Sequence, residues 1–385
     1  MVRHSSRIEL SQKALTSNIN FIRKKIGPKV RLSSVVKANA YGHGIDPFVI
    51  MAEKAGVRHF SVASAHEANE VIACKNSSSS VMIMGILYDV DIAWAIENEI
   101  EFYIFNYDRL PKVKNIAKAL GKKAIIHLEV ETGANRTGLP KEDFGKALTF
   151  IKRNRSLIQF EGLCSHLGGA ESDSNKFKID LQHKRFKEFI KLCKSRKMLP
   201  NYIHLASSAG SLVYPEMRYN MVRAGVIQYG FWPSPDVYYH HLDEVNKSSD
   251  RALKRIITWK TDIMDLRDVP RGEFIGYGTA FQAQQDMRIA VMPLGYSNGY
   301  PRAQSNRGHV LIHGKKAPIT GLINMNLFMV DVSNIPEVEL GDEVVLVGRQ
   351  KNSVIRVSSF TESVNLLNNE MLSRLPSAIP RTVVR

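Results

Sequence analysis

The sequence predicts an α/β chain: an N-terminal (β/α)8 TIM-like barrel followed by a mostly β C-terminal domain. Three observations predict it. Eight short apolar runs alternate with helix-like stretches over about 220 residues, the rhythm of strand–helix repeats that close into a barrel. From about residue 250 the rhythm changes to short strands joined by Gly-, Pro- and Asp-rich turns. No dinucleotide-binding glycine fingerprint follows the first strand, which places an open doubly wound sheet second. At 385 residues the chain has room for both domains.

The elements follow in order. Arg7-Ile8-Glu9-Leu10 alternates as a strand and is assigned to the β domain, with residues 1–10 as its segment. Ser11 is positioned to cap a helix whose Leu15, Ile19, Ile22 and Ile26 share one face and which Gly27-Pro28 stops. Apolar runs near 32–36, 60–63, 81–85, 101–105, 123–130, 158–165, 201–206 and 220–224 are the barrel strands. Helical stretches such as Ile92 to Ile100, Phe144 to Lys152 and Phe177 to Lys197 separate them. The barrel is thus assigned to 11–240 and the β-rich domain to 241–385, with Asn246-Lys247-Ser248-Ser249 as the linker. In the second domain Ile256 to Ile263, Met287 to Met292, Val310 to His313 and Val344 to Val347 read as strands.

Composition narrows the function classes. Hydrophobic residues make up 44% and charged residues 23%, which suits a large core rather than a disordered chain. Cys74, Cys164 and Cys193 are odd in number and far apart, with neither disulfide nor metal spacing, so a reducing compartment is expected. The start lacks a hydrophobic signal core and no run reaches the length of a membrane span; the expectation is a cytoplasmic protein without membrane attachment. A net charge of +16 invites a nucleic-acid partner. Much of it, however, lies on helices such as Lys184-Arg185-Phe186-Lys187-Glu188-Phe189-Ile190-Lys191, where charges alternate with an apolar face. With no nucleic-acid module recognisable, a solvated surface is preferred.

Barrel chemistry sits at strand carboxyl ends, and reactive residues recur there. Lys37 follows two β-branched residues and opens the turn Ala38-Asn39-Ala40-Tyr41-Gly42-His43-Gly44. A lysine held there, partly desolvated, can serve as nucleophile or base. Arg136 follows the fifth strand, His166 the sixth, Ser207-Ser208 the seventh, and Arg223-Ala224-Gly225-Val226 close the eighth. A phosphate needs hydroxyls and backbone amides, which Ser208, Gly225 and Val226 offer, with Tyr41 within reach from the first loop. Alone, the double serine reads as an ordinary helix cap; after the seventh of eight strands the phosphate is preferred, with Ser208 as its hydroxyl. His204 reads as packing or stacking. Gly276-Tyr277-Gly278 alone reads as a turn with a packed aromatic.

The string Val35-Val36-Lys37-Ala38-Asn39-Ala40-Tyr41-Gly42-His43-Gly44 resembles the pyridoxal-phosphate lysine motif of alanine racemases. Further similar pieces run through Glu131-Thr132-Gly133-Ala134-Asn135-Arg136-Thr137-Gly138, the His166 segment, Val222 to Gly225, Gly276-Tyr277-Gly278, Gly295 to Arg302, Asn324-Met325-Asn326 and Ile379-Pro380-Arg381. The resemblance spans nearly the whole chain. It implies a pyridoxal 5'-phosphate enzyme of fold-type III, a head-to-tail homodimer, and interconversion of L- and D-alanine for peptidoglycan. Lys37 of one subunit and Tyr277 of the other would act on opposite faces of the substrate. Arg136 and the Met325 backbone would hold its carboxylate, while Tyr296 and Arg302 line the way in. Arg223 would face the ring nitrogen and, being always charged, keep it unprotonated. His166, backed by Arg223, would polarise Tyr277.

The chain departs from the family pattern in places. Glu129 stands where a carbamylated lysine is common, and is expected to orient Arg136 with its own carboxylate. Asn326 replaces an acidic residue, Leu322 an arginine, and Ser377 a phosphate-contacting tyrosine. The smaller Ser377 widens the alternatives to serine or lysine as substrate. A non-catalytic pyridoxal-phosphate carrier on the same barrel is the third reading, against which the Tyr277 segment counts.

Overall fold

A computed structural model describes residues 4–361 and 367–385. Residues 1–3 of the expected first strand lie outside them. The chain divides into two compact units: Ala14–Ala38 with Phe48–Lys254, and Met1–Lys13 with Asn39–Pro47 and Arg255–Arg385.

Strands run in chain order as β1 (Ser6–Ser11), then β2 (Arg31–Val35), β3 (His59–Val62), β4 (Ser80–Ile83) and β5 (Glu101–Ile104). Next come β6 (Ala124–Glu129), β7 (Ile158–Cys164), β8 (Tyr202–His204) and β9 (Met221–Ala224). All eight expected barrel runs are strands. They form one parallel sheet in the order β8-β7-β6-β5-β4-β3-β2-β9, in which β9 returns beside β2. The remaining seam, between β8 and β9, is stitched by fewer bonds. Arg223 N donates to Ala206 O at 3.1 Å, and the Asn220 amide bridges Ile203 N and Asn201 O at 2.7 Å each.

The helices do what their periodicity dictates. Helix Gln12–Ile26 buries Leu15, Ile19, Ile22 and Ile26 and ends at Gly27, whose φ of +86° suits glycine. Ser11, read as a cap, is the last residue of β1. Helix Lys176–Ser195 buries Ile179, Phe186, Phe189, Ile190 and Cys193 and turns Lys184, Lys187 and Lys191 outward, so its charge is a solvated face. Each such apolar side chain contributes about 1.5–3 kcal/mol by leaving water. The barrel interior is unusually polar: Ser33, His59, Ser61, Glu101, His127 and His204 are all buried in it.

The other unit carries β10 (Ile257–Asp262), β11 (Asp265–Val269), β12 (Met287–Met292), β13 (His309–Ile312) and β14 (Lys315–Thr320). β15 (Phe328–Asp331), β16 (Glu343–Gln350), β17 (Ser353–Ile355) and β18 (Arg381–Val384) complete it. The sheet order is β11-β12-β15-β14-β13-β16-β10-β1-β18, with β17 beside β16. β1 is a member of this sheet. It pairs antiparallel with β10, Ile8 opposite Trp259, and parallel with β18, Ile8 opposite Arg381. Trp259, Tyr300 and Phe328 form its aromatic core, with Tyr300 and Phe328 stacked 4.8 Å apart.

Candidate active site

Lys37 opens a helical turn, Lys37–Tyr41, of the wrong hand. Ala38, Asn39, Ala40 and Tyr41 have φ of +54°, +52°, +51° and +53°. Left-handed backbone costs about 1–2 kcal/mol for each residue that is not glycine, so surrounding bonds must hold the turn. Glu67 supplies two: its carboxylate oxygens accept from Ala38 N and Ala63 N, both at 2.7 Å. Just before the turn, Val35 O accepts from Gln228 Nε2 and Tyr229 Oη at 2.9 Å. Just after it, Asn39 Oδ1 accepts from Ile45 N, and Gly42 O accepts from Arg381 Nη2 at 3.0 Å. Lys37 itself is exposed in the single chain, so the desolvation expected for it is not supplied by its own surroundings. Tyr41 is half-buried, and burial pushes its phenol up to about 12.

His166 brings the other barrel candidates together. Burial first, then the charges of Arg223, Arg136 and Lys37, push its imidazole down to about 3, so the ring is neutral. Its loop is held by Gln182, whose Nε2 donates to His166 O at 3.0 Å while Oε1 accepts from Gly168 N at 2.9 Å. Glu129 ends β6 and is buried. Burial raises its carboxyl, opposed by a hydrogen bond from Thr137 and by the charges of Arg223 and Arg136. Arg136 is exposed, beside Asn135 at φ +52°.

Arg223 is buried, and among the described residues its bonds go to no carboxylate. Nη2 donates to Ser165 O at 2.7 Å and Leu205 O at 3.3 Å, and Nη1 to His204 O at 3.1 Å and to His204 Nδ1. The last contact orients a buried chain. Arginine only donates, so His204 Nδ1 accepts and its Nε2–H donates to His127 Nδ1 at 2.8 Å. His127 Nε2–H then donates to Glu101 Oε2 at 2.8 Å. From the far side His59 Nε2 meets the same oxygen at 3.1 Å, and its Nδ1 accepts from Ser33 Oγ at 2.8 Å, itself bonded to Ser61 Oγ. Burial alone would raise the Glu101 carboxyl, yet His59 and His127 hold it well below the usual range. Burial pushes His59 and His204 down, Arg223 adding to the effect at His204. His204, expected to pack or stack, is the hinge of this chain. Glu101, His127 and His59 were missed because a strand pattern shows which residues alternate inward, and nothing marks inward polar ones as connected.

Ser207 occupies the N-cap position of the short helix Ser208–Val213, but its side chain makes no capping bond. Ser208 Oγ instead accepts from Gly225 N at 2.9 Å, clasping the loops after β8 and β9, with Val226 next in line. Ser207 is thus a cap by position without the side-chain bond of one, and Ser208 is committed to Gly225.

In the other unit Tyr277 is 72% exposed between Gly276 (φ +80°) and Gly278 (φ +64°), which overturns the packed-aromatic reading. Tyr296 and Met325 are also exposed, and are clasped together. Ser297 N and Oγ donate to Met325 O at 3.0 and 2.8 Å, and Tyr296 N donates to Asn324 O at 3.1 Å. A Cβ on Gly295 would stand 2.0 Å from Asn324 O, so only glycine permits that approach. Asn326 Nδ2 donates to Ser297 Oγ at 2.9 Å, a role open to an amide and closed to an ionised acid. Arg302 is exposed on a short 3-10 turn; Leu322 is half-buried; Ser377 O accepts from Arg381 Nη1 at 2.8 Å.

Comparison with known proteins covers the whole chain. The alanine racemase N-terminal domain profile matches residues 10–233, and the C-terminal domain profile residues 256–383. An alanine racemase of Halothermothrix orenii is 34% identical over 386 residues, covering 97% of this chain and 95% of that protein. One of Methanococcus maripaludis is 32% identical, covering 99% of both. Among solved structures, alanine racemase from a D-cycloserine-producing Streptomyces lavendulae superposes with a TM-score of 0.89 at 27% identity, covering 100% of this chain and 98% of that one. A Bartonella henselae alanine racemase with covalently bound pyridoxal phosphate shares the fold, with a TM-score of 0.82 at 23% identity and coverage of 99% and 100%.

Proposed function

Because the chain belongs to the alanine racemase family, we propose that it interconverts L- and D-alanine with pyridoxal 5'-phosphate and supplies D-alanine for peptidoglycan in the cytoplasm. The observation that carries this reading is the neutral, half-buried His166, on which the charges of Lys37, Arg136 and Arg223 converge at the carboxyl ends of the barrel strands. The residues fit the cofactor. Arg223 is a buried donor with no carboxylate partner among the described residues, which suits an aromatic ring nitrogen. Ser208 and Gly225 form a small polar clasp, which suits a phosphate, with Val226 and Tyr41 beside them in this reading.

When bound, the cofactor supplies an aldehyde for amine exchange and a conjugated ring that takes up the electrons of the α-C–H bond. The protein's own groups do the rest. Lys37 Nζ moves the α-proton on one face and Tyr277 Oη on the other, each such group worth about 10²–10⁴-fold. Arg136 and the Met325 backbone amide hold the substrate carboxylate, and Glu129 orients Arg136. Arg223 would hold the ring nitrogen and, since arginine keeps its proton, would leave that nitrogen unprotonated. Neutral His166 hydrogen-bonds without adding a charge to the site. Tyr296 and Arg302 guard the approach. A homodimer sets the Tyr277, Met325, Tyr296 and Arg302 of one protomer against the Lys37 of its partner.

Deuterium uptake at the α-carbon from heavy water tests the substrate. Alanine is expected to exchange fastest; faster exchange of serine or lysine would move the activity to those, and exchange of none would leave a cofactor carrier. Borohydride reduction followed by peptide mass spectrometry is expected to fix the cofactor on Lys37.

A further inference from the structure

The opposite, amino-terminal mouth of the barrel holds a cavity of about 450 Å³. It is lined by the turn after helix Gln12–Ile26, the start of β2, and the Gly56–His59 segment that leads into β3. Four cations face it: Arg23, Lys24, Arg31 and Arg58. Its lining contains no aspartate or glutamate, and among the described residues none of the four makes an ion pair. The nearest carboxylate in sequence, Glu53, is committed elsewhere, accepting from Asn76 N, Asn76 Nδ2 and Ser79 Oγ.

The guanidiniums are placed by backbone carbonyls, which fix them without neutralising them. Arg23 Nη1 donates to Ala55 O at 2.8 Å, and Arg58 Nη1 to Glu53 O at 2.8 Å and Val57 O at 2.7 Å. Each Nη2 is left without an acceptor among the described residues. Arg31 Nη2 donates to Ser80 Oγ at 3.1 Å, and its guanidinium lies 4.8 Å over the Tyr202 ring. Gly56 makes room for Arg23: at φ +86°, a Cβ there would stand 3.0 Å from Nη1 and 3.1 Å from Nη2. Burial, and then the charge of Arg58, push the Arg23 guanidinium down, the mark of cations held close without a counter-ion. Pro28, Val30, Leu32 and Val57 give the same cavity an apolar wall.

Preorganised guanidinium forks match phosphate oxygens, and the cavity lies within the size range of small-ligand sites. We propose that this cavity binds a phosphorylated small molecule of nucleotide size, its phosphate on Arg23, Arg58 and Lys24 and its organic part against Pro28, Val30 and Val57. The site lies at the barrel mouth opposite Lys37 and stands independently of the racemase reading.

Isothermal titration of the purified full chain, with pyridoxal 5'-phosphate added so that its own phosphate site is filled, tests this with adenosine monophosphate and inorganic phosphate as probes. Adenosine monophosphate is expected to bind saturably at one site per chain, more tightly than inorganic phosphate. Arg58→Ala should weaken it about tenfold, the scale of a lost charge-assisted bond. Lys24→Ala, at an exposed position where folding is not at stake, should weaken it severalfold, and Lys118→Ala, on a distant helix, should leave it unchanged. Absence of saturable binding, equal affinity in the Arg58 and Lys24 variants, or equal weakening by Lys118→Ala would each overturn the site. Inorganic phosphate binding as tightly as the nucleotide would overturn the organic part.

Discussion

His43 shows how much one residue of the lysine motif contributes away from chemistry. It is fully buried, and its Nδ1 lies 3.0 Å from both Ala40 O and Tyr41 O, so that nitrogen carries the proton and ties the left-handed turn to itself. Burial drives its pKa down to about 4 against a usual 6.5. The unfolded chain therefore takes up a proton near pH 6.5 that the folded chain refuses until about pH 4. The stability His43 confers is complete above pH 6.5 and drains away as the pH falls towards 4, about 3 kcal/mol over that span. His43→Gln should flatten the pH dependence of urea unfolding in that window, and an unchanged slope would refute the assignment. Glu129→Gln probes the neighbouring idea that a carboxylate orients Arg136: KM for alanine should rise about tenfold with kcat less affected, while full affinity would refute it.

At the scale of elements, the polar chain through the barrel makes a sharper prediction because it can be cut on either side of Glu101. His127→Leu removes the link between Glu101 and His204 and so frees the Arg223 end. His59→Leu removes only the far arm, beyond Glu101. Each leaves buried partners unpaired and should cost about 1–3 kcal/mol in denaturant unfolding. Only His127→Leu should also lower kcat and shift the visible band of the bound cofactor; equal kinetic effects would mean that the chain is scaffold alone. This chain also marks where the sequence stopped being legible. The eight barrel strands were readable because short, largely apolar runs alternate regularly with helix-like stretches, and Leu15, Ile19, Ile22 and Ile26 gave their helix by spacing. Strands β11, β14, β15, β17 and β18 were not; β11, Asp265-Leu266-Arg267-Asp268-Val269, is a charged edge strand whose identity comes from pairing with β12. The candidate residues at strand ends were legible from topology and motif. The handedness of the Lys37 turn was not, because four consecutive non-glycine residues at positive φ are stabilised by Glu67, Gln228 and Arg381, which lie far away in sequence. Gly42→Ala tests that turn directly. Its Cβ would stand 1.8 Å from Leu372 O at φ +79°, so loss of cofactor binding together with a large drop in Tm is expected, measured by cofactor absorbance and calorimetry.

The whole molecule poses the question of what covers Tyr277, Met325 and Tyr296, large side chains left exposed on one chain. Single exposed apolar residues are ordinary, but Tyr296 and Met325 sit on loops whose backbone is fixed by Gly295 and the Ser297–Met325 bonds, a rigid presentation suited to a second surface. Lys37, exposed likewise, lacks the dry surroundings that its proposed work needs. The two-fold pairing proposed above would satisfy both at once, and it yields a test that needs no structure of the pair. Lys37→Ala and Tyr277→Phe homodimers should each be nearly inactive. When the two are unfolded together and refolded as a mixture, half of the dimers contain one chain of each kind. If each site takes Lys37 from one protomer and Tyr277 from its partner, a mixed dimer has one doubly damaged site and one intact site. Activity should then return to about a quarter of the unmodified level at equal mixing, rising and falling with the fraction of mixed dimers. Sites built within single chains would leave every site damaged, and the mixture would stay as inactive as its parents.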